Sequence, residues 1–261
     1  MTYKIAFFDI DGTILRSDHT YDKSTKDAID QLHNQGIQVV LATGRPLHEL
    51  DKLGKELNVD AFIGYNGTYA VYKNDVIVHH PFDSELIKKI LEVAYNQNDE
   101  LLLYTNQNNL FSDLKNVITQ NFIDTFQLIH NGVYYENMEK SILGATLVSI
   151  DPNSASLYEV DPQIRLAPVN VKQVEGSYDI ILKNVTKGTA VEKMLQYFNM
   201  TKEQAIAFGD GMNDKEMMQI VGESFAMGNA HPDLFQYAKH RTSSVEDSGI
   251  YKGLKYLGII R

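Results

Sequence analysis

Residues 4–13 read KIAFFDIDGT, a mostly apolar run that ends in two acids, a glycine and a threonine. Within residues 4–10, apolar side chains occupy both odd and even positions, so both faces of an extended chain would be apolar. This pattern predicts a strand buried on both faces of a sheet. Asp9 and Asp11 are two positions apart, so on an extended chain their side chains lie on one side. Gly12 permits a sharp turn, which would bring both carboxylates into one small volume.

Paired carboxylates of this kind suit acid–base chemistry. Two adjacent carboxylates repel each other, so one ionises readily while the pKa of the other rises. That division fits a nucleophile beside a general acid, with Asp9 and Asp11 as the candidates. Asp-Gly is also a common turn pair, so a solvated turn at the end of the strand is the alternative interpretation of the same residues.

Beyond this stretch, helical and strand patterns alternate along the chain. Helices are predicted at 24–34 and 46–57, and strands at 37–42 and 61–64. This β-α-β-α-β order predicts a parallel sheet with right-handed crossovers. The same rhythm returns late in the sequence, with helices at 187–198 and 214–221 and strands at 205–208, 224–227 and 241–243.

The middle of the chain has a different character. Residues 68–72 and 76–79 predict a hairpin. From 83 to 182, helical and strand patterns mix with asparagine-rich and Asp-Pro breaks. We therefore predict an α/β core formed by 1–82 and 183–261, with an α+β domain inserted at 83–182.

Composition limits the classes of protein. The chain has 261 residues, 43% hydrophobic and 22% charged, as in ordinary globular proteins. It has no cysteine, which excludes disulfides, thiolate zinc sites and cysteine nucleophiles and fits a reducing cytosol. No run approaches the roughly 18 apolar residues of a membrane span, and the start lacks a signal-peptide core. We expect a cytoplasmic protein with no membrane partner.

The net charge of −10 bears on the binding partners. A surface of that sign repels phosphate backbones at long range, so nucleic acids and anionic membranes are poor partners. If the substrate is an anion, a metal ion or a local cationic pocket must attract it.

Residues 42–46 place a second polar group at a predicted strand end. The strand ends near Thr43, and a helix is predicted from Pro46. A hydroxyl together with free N–H groups at a helix N-terminus can hold a phosphate oxygen, which makes Thr43 and Gly44 candidates. Thr43 acting only as a capping residue is the alternative.

Lys187 is a third candidate. It lies in the first turn of a predicted helix, where the helix dipole disfavours a cation. A lysine at this position makes sense if it faces an anion, although a solvent-facing lysine is an equally simple interpretation.

Residues 208–214 form the fourth segment, a buried strand that runs into FGDGMND. Hard cations such as Mg2+ prefer oxygen ligands. Asp9, Asp210 and the main-chain carbonyl of Asp11 could supply three ligands, and Asp214 could act directly or through water. The alternative is a turn in which Asp214 caps the next helix. Because the third glycine is missing, Gly209-x-Gly211 is not a dinucleotide fingerprint, which disfavours a nucleotide-binding oxidoreductase.

Together the four segments resemble the haloacid dehalogenase-like (HAD) hydrolase superfamily. Its pattern is an Asp-x-Asp-Gly-Thr start, a strand-end Thr or Ser, a Lys and a late Gly-Asp-x-x-Asp, all present here in that order. The details are similar to the Cof-type subfamily. They are Asn66-Gly67, Thr186-Lys187-Gly188, residues 209–214, the stretch AMGNA at 226–230 and the tail SVEDSGI at 244–250.

The resemblance implies a HAD-like Rossmannoid core with an inserted cap of the C2B type. It also implies a Mg2+-dependent phosphatase of small phosphorylated metabolites, in which Asp9 forms a phosphoaspartate and Asp11 is the general acid and base. Phosphate or substrate binding is then expected from Gly12, Thr43, Gly44, Arg45, Lys187 and Asn213, and metal binding from Asp9, Asp11, Asp210 and Asp214.

Two other functions are compatible with the same residues. A phosphomutase would transfer the phosphoryl group to a second sugar hydroxyl and would form an isomer instead of releasing phosphate. A silent regulator would bind a phosphorylated metabolite without turnover, but binding alone does not require an acid at Asp11.

Overall fold

A computed structural model describes residues 2–169 and 171–261. Contacts within the chain divide it into two compact units. The first comprises the residues up to Gly44, Asp51–His79 and Thr186–Arg261, and the second comprises Arg45–Leu50 and His80–Val185. The predicted domain boundaries at 82/83 and 182/183 stay a prediction; the contacts change units three residues away from each.

The chain up to His79 forms five strands and two helices. The strands are β1 (Ile5–Phe8), β2 (Gln38–Ala42), β3 (Ala61–Gly64), β4 (Tyr69–Tyr72) and β5 (Asp75–His79). The helices are α1 (Lys23–Asn34) and α2 (Asp51–Leu57). The hairpin of β4 and β5 confirms the pair of strands predicted there.

The second unit follows. Its strands are β6 (Glu100–Tyr104), β7 (Asn109–Phe111), β8 (Asn131–Val133), β9 (Gly144–Val148), β10 (Ile164–Pro168) and β11 (Tyr178–Leu182). Its helices are α3 (Ser84–Gln97) and α4 (Val117–Phe126). The six strands form one sheet in the order β10-β11-β9-β6-β7-β8, antiparallel except for the parallel pair β7–β8.

The chain then returns to the first unit. Its remaining helices are α5 (Lys187–Tyr197), α6 (Lys215–Ile220) and α7 (Gly249–Tyr256), and its strands are β12 (Ala205–Gly209), β13 (Glu223–Ala226) and β14 (His240–Arg241). The eight strands of this unit pair in the order β14-β13-β12-β1-β2-β3-β4-β5. The six from β14 to β3 are parallel, which confirms the predicted parallel α/β sheet.

Both faces of the parallel sheet are buried, as the apolar start of the sequence predicts. On one face Phe7 and Val40 join a cluster with Val191 and Met194 of α5. On the other face the ring of Phe208 stacks on the rings of Phe8 and Phe225, with centroids 5.3 and 4.8 Å away. This burial fixes β1 in the middle of the sheet, between β2 and β12.

The predicted helix at 46–57 is wrong in its first half. Leu47–Glu49 forms one turn of 3-10 helix, and α2 begins only at Asp51. The reason is long-range: Glu49 accepts hydrogen bonds from the side chain of Asn109 and the backbone of Ile129, which hold 45–50 in the second unit. Within the described part of the chain, no helix is long and apolar enough to cross a bilayer.

Candidate active site

Three of the predicted segments end at one edge of the parallel sheet. Asp9 directly follows β1, Thr43 directly follows β2, and Asp210 directly follows β12. Since β1 lies between β2 and β12, the carboxyl ends of the three strands are neighbours. This edge of an open parallel sheet is where ligands bind.

Lys187 joins these strand ends from the start of α5. The side chain of Thr186 accepts from the backbone N–H of Thr189, so the helix begins at Lys187, as predicted. The ammonium of Lys187 is fully buried and donates to Asp9 Oδ1 at 2.5 Å and to Asp214 Oδ1 at 2.6 Å. Lys187 is therefore a buried cation held between two carboxylates, and the solvent-facing alternative is wrong.

Asp9, Asp210 and Asp214 form a compact triad. Each offers one carboxylate oxygen, and the three oxygens lie within 4.8 Å of one another. The backbone holds the carboxylate of Asp214 in position, because its Oδ2 accepts from the N–H groups of Asp210 and Gly211 at 3.1 and 3.0 Å. Asp214 also occupies the N-cap position of α6, as the alternative predicted, but its carboxylate makes no capping bond to that helix.

The electrostatics of the triad reflect burial and crowding. Burial, then the charges of Asp214 and Asp210, raise the pKa of Asp9 well above its ordinary value, although Lys187 acts in the opposite sense. Burial followed by Asp214 raises the pKa of Asp210 to about 6. Burial alone would lower the pKa of Lys187, but Asp214 and Asp9 outweigh it and raise that pKa. Carboxylates are therefore in excess over the cation at this site.

The donor set fits a divalent cation. Three carboxylates against one ammonium leave two negative charges uncompensated when all are ionised. Mg2+ is bound through oxygen ligands, commonly one or two carboxylates with water completing the shell. Asp9, Asp210 and Asp214 can hold such an ion, and its charge would offset the repulsion that raises the pKa of Asp9 and Asp210.

The loop after β1 differs from the prediction in one respect. Strand β1 ends at Phe8, so Asp9 and Asp11 lie in the loop after the strand and not on it; Ile10 is buried and Asp11 is exposed. The carboxylates that raise the pKa of Asp9 are those of Asp214 and Asp210. Asp9 and Asp11 thus occupy different environments, one buried and one open to solvent.

Gly12 has a structural task in this loop. Its φ is +83°, and a Cβ there would lie 2.2 Å from Asp210 Oδ2, so only glycine fits. The prediction that its amide binds phosphate needs correction, because that N–H donates to the carbonyl of Leu15 at 2.8 Å. The turn itself uses the donor. Thr13, which the sequence interpretation left without a role, donates to Asp210 Oδ1 at 3.0 Å.

The residues after β2 lie beside a loop that follows β3. Thr43 is buried, and its carbonyl accepts from the backbone N–H of Asn66 at 3.1 Å. A Cβ on Gly44 would lie 3.2 Å from the Asn66 amide. Asn213 donates to Asn66 Oδ1 at 2.9 Å, whereas the ammonium of Lys187 is held by Asp9 and Asp214. Asn66 thus connects the Thr43 and Asn213 segments. In the sequence, the feature that marks this residue is the Asn66-Gly67 pair after the third strand.

Two details of the Thr43 segment depart from the prediction. The helix N-terminus expected at Pro46 is only a 3-10 turn, so an α-helix dipole does not start there. Arg45 belongs by its contacts to the second unit and not to the predicted core, and its predicted role in substrate binding stays a prediction. The phosphate binding predicted for Thr43 and Gly44 would therefore depend on the hydroxyl and local amides rather than on an α-helix terminus.

Comparison with known proteins gives consistent matches over the whole chain. A family model described as haloacid dehalogenase-like hydrolase matches residues 6–254. A protein of Yersinia pseudotuberculosis named HMP-PP phosphatase is 30% identical over 253 residues, which cover 90% of this chain and 87% of that protein.

Solved structures agree with these matches. A hypothetical protein from Geobacillus kaustophilus HTA426 superposes with a TM-score of 0.88 at 31% identity, covering 99% of this chain and 100% of that one. The HAD subclass IIB sugar phosphatase BT4131 superposes with a TM-score of 0.84 at 25% identity, covering 98% of this chain and 100% of that one.

Proposed function

This chain belongs to the haloacid dehalogenase-like hydrolases of Cof type, an enzyme family in which its relatives are named phosphatases, and on that premise we propose its reaction. It is a Mg2+-dependent hydrolase of small phosphorylated metabolites that works through a phosphoaspartate on Asp9. The carrying observation is the buried contact of Asp9 with Lys187, inside the triad with Asp210 and Asp214.

Asp9 is the nucleophile because a buried hydrogen bond holds its carboxylate in a fixed position. The buried ammonium of Lys187 favours the ionised form of Asp9 and fixes one of its oxygens. In the first step a carboxylate oxygen of Asp9 bonds to phosphorus while the bond from phosphorus to the leaving oxygen breaks. Asp11, which is exposed in the loop after β1, gives its proton to that leaving oxygen.

The second step reverses the role of Asp11. Its carboxylate now takes a proton from water, whose oxygen attacks the phosphorus of the phosphoaspartate. The bond between phosphorus and the Asp9 oxygen breaks, inorganic phosphate leaves, and both acids return to their starting states. Splitting the hydrolysis in this way replaces one difficult displacement by two easier ones.

Charge stabilisation dominates such a transfer, because the moving phosphoryl group carries its charge on three oxygens. Lys187 supplies one positive charge, and the Thr43 hydroxyl and Gly44 amide supply donors from the neighbouring strand end. Mg2+ held by Asp9, Asp210 and Asp214, with the Asp11 carbonyl, would add the charge that the acidic protein lacks.

The substrate class follows from the relatives and the inserted unit. One relative is named HMP-PP phosphatase and one solved neighbour a sugar phosphatase. We propose that residues 83–182 are a C2B-type cap, which would exclude bulk water and favour small substrates over phosphoproteins. Sugar phosphates, pyridoxal phosphate and flavin-precursor phosphates are the classes to compare.

The test is release of inorganic phosphate from a panel of these compounds, with Mg2+ and with chelator. We expect release that requires Mg2+ and falls by at least about 10³-fold in Asp9→Asn, because the amide cannot form the acyl phosphate. Asp27→Asn, which changes an exposed acid on α1, is the matched control and should retain full activity.

Three results would contradict the proposal. Release that survives Asp9→Asn would exclude the phosphoaspartate, and release unaffected by chelator would exclude the metal. If the folded wild-type protein released no phosphate from any compound but isomerised a sugar phosphate, the enzyme would be a mutase.

A further inference from the structure

The turn after β13 contacts the loop that carries the proposed acid and base. This turn contains Asn229, part of the AMGNA stretch that the proposed chemistry does not use. Asn229 Nδ2 donates to the carbonyl of Gly12 at 2.8 Å, and Asn229 Oδ1 accepts from the backbone N–H of Val245 at 2.9 Å. Both ends of one side-chain amide are therefore committed to backbone groups of two different loops.

The turn that carries Asn229 is itself well fixed. Gly228 donates to the carbonyl of Ser243 at 3.0 Å, and a Cβ on Gly228 would lie 2.7 Å from the backbone nitrogen of Ser244. His231, two residues after Asn229, donates its backbone N–H to the carbonyl of Asp210 at 2.9 Å. The amide of Asn229 is thus presented from a turn that is anchored both to the 243–245 segment and to a residue of the acidic triad.

The partner segment is anchored in turn. Val245, which donates to Asn229, precedes Glu246, and Glu246 pairs with Arg16 Nε at 3.0 Å. Arg16 also pairs with Asp22 at 2.6 Å. The 244–250 tail is therefore tied back to the chain that follows the loop after β1.

A hydrogen bond to the Gly12 carbonyl bears directly on the conformation of the loop next to Asp11. Gly12 lies between Asp11 and Thr13, has a positive φ and has no side chain to pack. The loop is also held by the Gly12 N–H on the Leu15 carbonyl, by the N–H groups of residues 13–15 on the Ile10 carbonyl, and by the Thr13 hydroxyl on Asp210. None of these bonds is made by the side chain of Asp11, and the donor on the Gly12 carbonyl is the one that fixes the direction of the peptide group just after Asp11 and Gly12.

We propose that Asn229 is a positioning residue for Asp11. By holding the Gly12 carbonyl it keeps the Asp11 carboxyl where a leaving oxygen and then a water can reach it, and the 244–250 tail keeps Asn229 in place. This inference rests on the proposed function, in which Asp11 is the acid of the first step and the base of the second.

The experiment compares two leaving groups. An alkyl phosphate needs a proton on its leaving oxygen, whereas p-nitrophenyl phosphate releases a stable anion and needs almost none. Asn229→Ala should slow phosphate release from the alkyl substrate about 10- to 100-fold, in the range expected when a catalytic group is displaced. With p-nitrophenyl phosphate the first step should stay within about threefold of wild type, while the second step, which needs the base, slows. A burst of p-nitrophenol should therefore appear in the variant.

Two further variants separate positioning from a general loss of structure. Asn229→Asp keeps the shape and the acceptor for Val245 but removes the donor to Gly12, so it should reproduce the Asn229→Ala pattern. Asn34→Ala, at the exposed end of α1, should behave as wild type with both substrates. Equal slowing of both steps with both substrates in Asn229→Ala, or wild-type behaviour in Asn229→Asp, would overturn the inference.

Asp11→Asn measured in parallel distinguishes the two levels of proposal. If Asp11→Asn shows the leaving-group dependence and Asn229→Ala does not, only the role of Asn229 is overturned. If Asp11→Asn shows no leaving-group dependence, the assignment of Asp11 as acid fails, and the inference about Asn229 fails with it.

Discussion

Each unit holds an ionisable group away from solvent, fully buried in the first and half-buried in the second, and the two groups find their partners in opposite ways. In the first unit the ammonium of Lys187 is fully buried and lies between Asp9 and Asp214, with Asp210 close by. In the second unit Asp179 accepts a hydrogen bond from the Thr146 hydroxyl at 2.6 Å, and Thr146 also contacts the Tyr104 hydroxyl at 3.0 Å. One group is balanced by opposite charge and the other by neutral donors.

The difference distinguishes an ionisable group that a fold can accommodate with a neutral hydrogen bond from a charged cluster that indicates a reaction. A neutral donor is enough to satisfy a buried carboxyl, and burial then raises the pKa of Asp179 so that it can carry a proton. A buried ammonium with three carboxylates is a poor way to stabilise a domain, because desolvation offsets most of the attraction. Such a cluster is typical of a site that has to handle charge.

The largest effect is expected when Lys187 loses its charge. In Lys187→Met we expect catalysis to fall by about 10²- to 10³-fold, since a positive charge beside the phosphoryl group is lost. Stability should also fall, by about 3–5 kcal/mol, because Asp9 and Asp214 then remain buried without their partner. Phosphate release and thermal unfolding followed by circular dichroism measure the two effects.

Lys193→Met is the matched control, since Lys193 lies on the same helix but is exposed. It should change neither quantity appreciably. If Lys187→Met unfolded at the same temperature as Lys193→Met, the buried ion pairs of Lys187 would make no net contribution to the free energy of unfolding, and the expected loss of stability would be wrong.

Much of this site could be predicted from the sequence, because strand ends and acidic residues are local features. The segments around Asp9, Lys187 and Asp210 each end a strand or begin a helix, and a parallel sheet brings such ends to one edge. The loop after β1 could not be predicted in the same way. The exposure of Asp11 and the use of the Gly12 amide depend on how residues 10–15 turn back on themselves, which periodicity does not encode.

Long-range side-chain contacts set the other limit. The pairing of Glu49 with Asn109 places 45–50 in the second unit, and 60 positions separate the two residues. The pairing of Asn229 with Gly12 spans 217 positions. No local pattern signals either contact, although the Asn-Gly pair at 66–67 and the AMGNA stretch marked asparagines that the structure then gives a partner.

Removing a carboxylate from the triad should have the opposite effect on stability from removing Lys187. Burial, then Asp214, raises the pKa of Asp210 to about 6 from an ordinary 3.8. Without metal its stabilising contribution is present below pH 3.8 and is lost as the pH rises through about 6. Metal-free Asp210→Asn should therefore be more stable than wild type at pH 7.5, by about 1–3 kcal/mol, and similar to it near pH 4.

Mg2+ should then stabilise wild type and leave Asp210→Asn almost unchanged, because only the intact triad binds it well. Thermal unfolding with Mg2+ and with chelator, at both pH values, measures this, and Asp27→Asn again serves as control. An equal Mg2+-dependent shift in wild type and Asp210→Asn would exclude Asp210 from the metal site.

The smallest effect is expected in the second unit, where Asp179→Asn replaces the half-buried acid by an amide that can still accept from the Thr146 hydroxyl. Burial raises the pKa of Asp179, so in wild type its stabilising contribution is present at low pH and is lost as the carboxyl ionises. Asp179→Asn should thus unfold at a higher temperature than wild type near neutral pH, and the difference should vanish in acid. Mg2+ should have no influence on that difference, unlike the one at Asp210. If Asp179→Asn were instead less stable at neutral pH, the ionised carboxylate would have a favourable charged partner, and the contrast between the two units would be wrong.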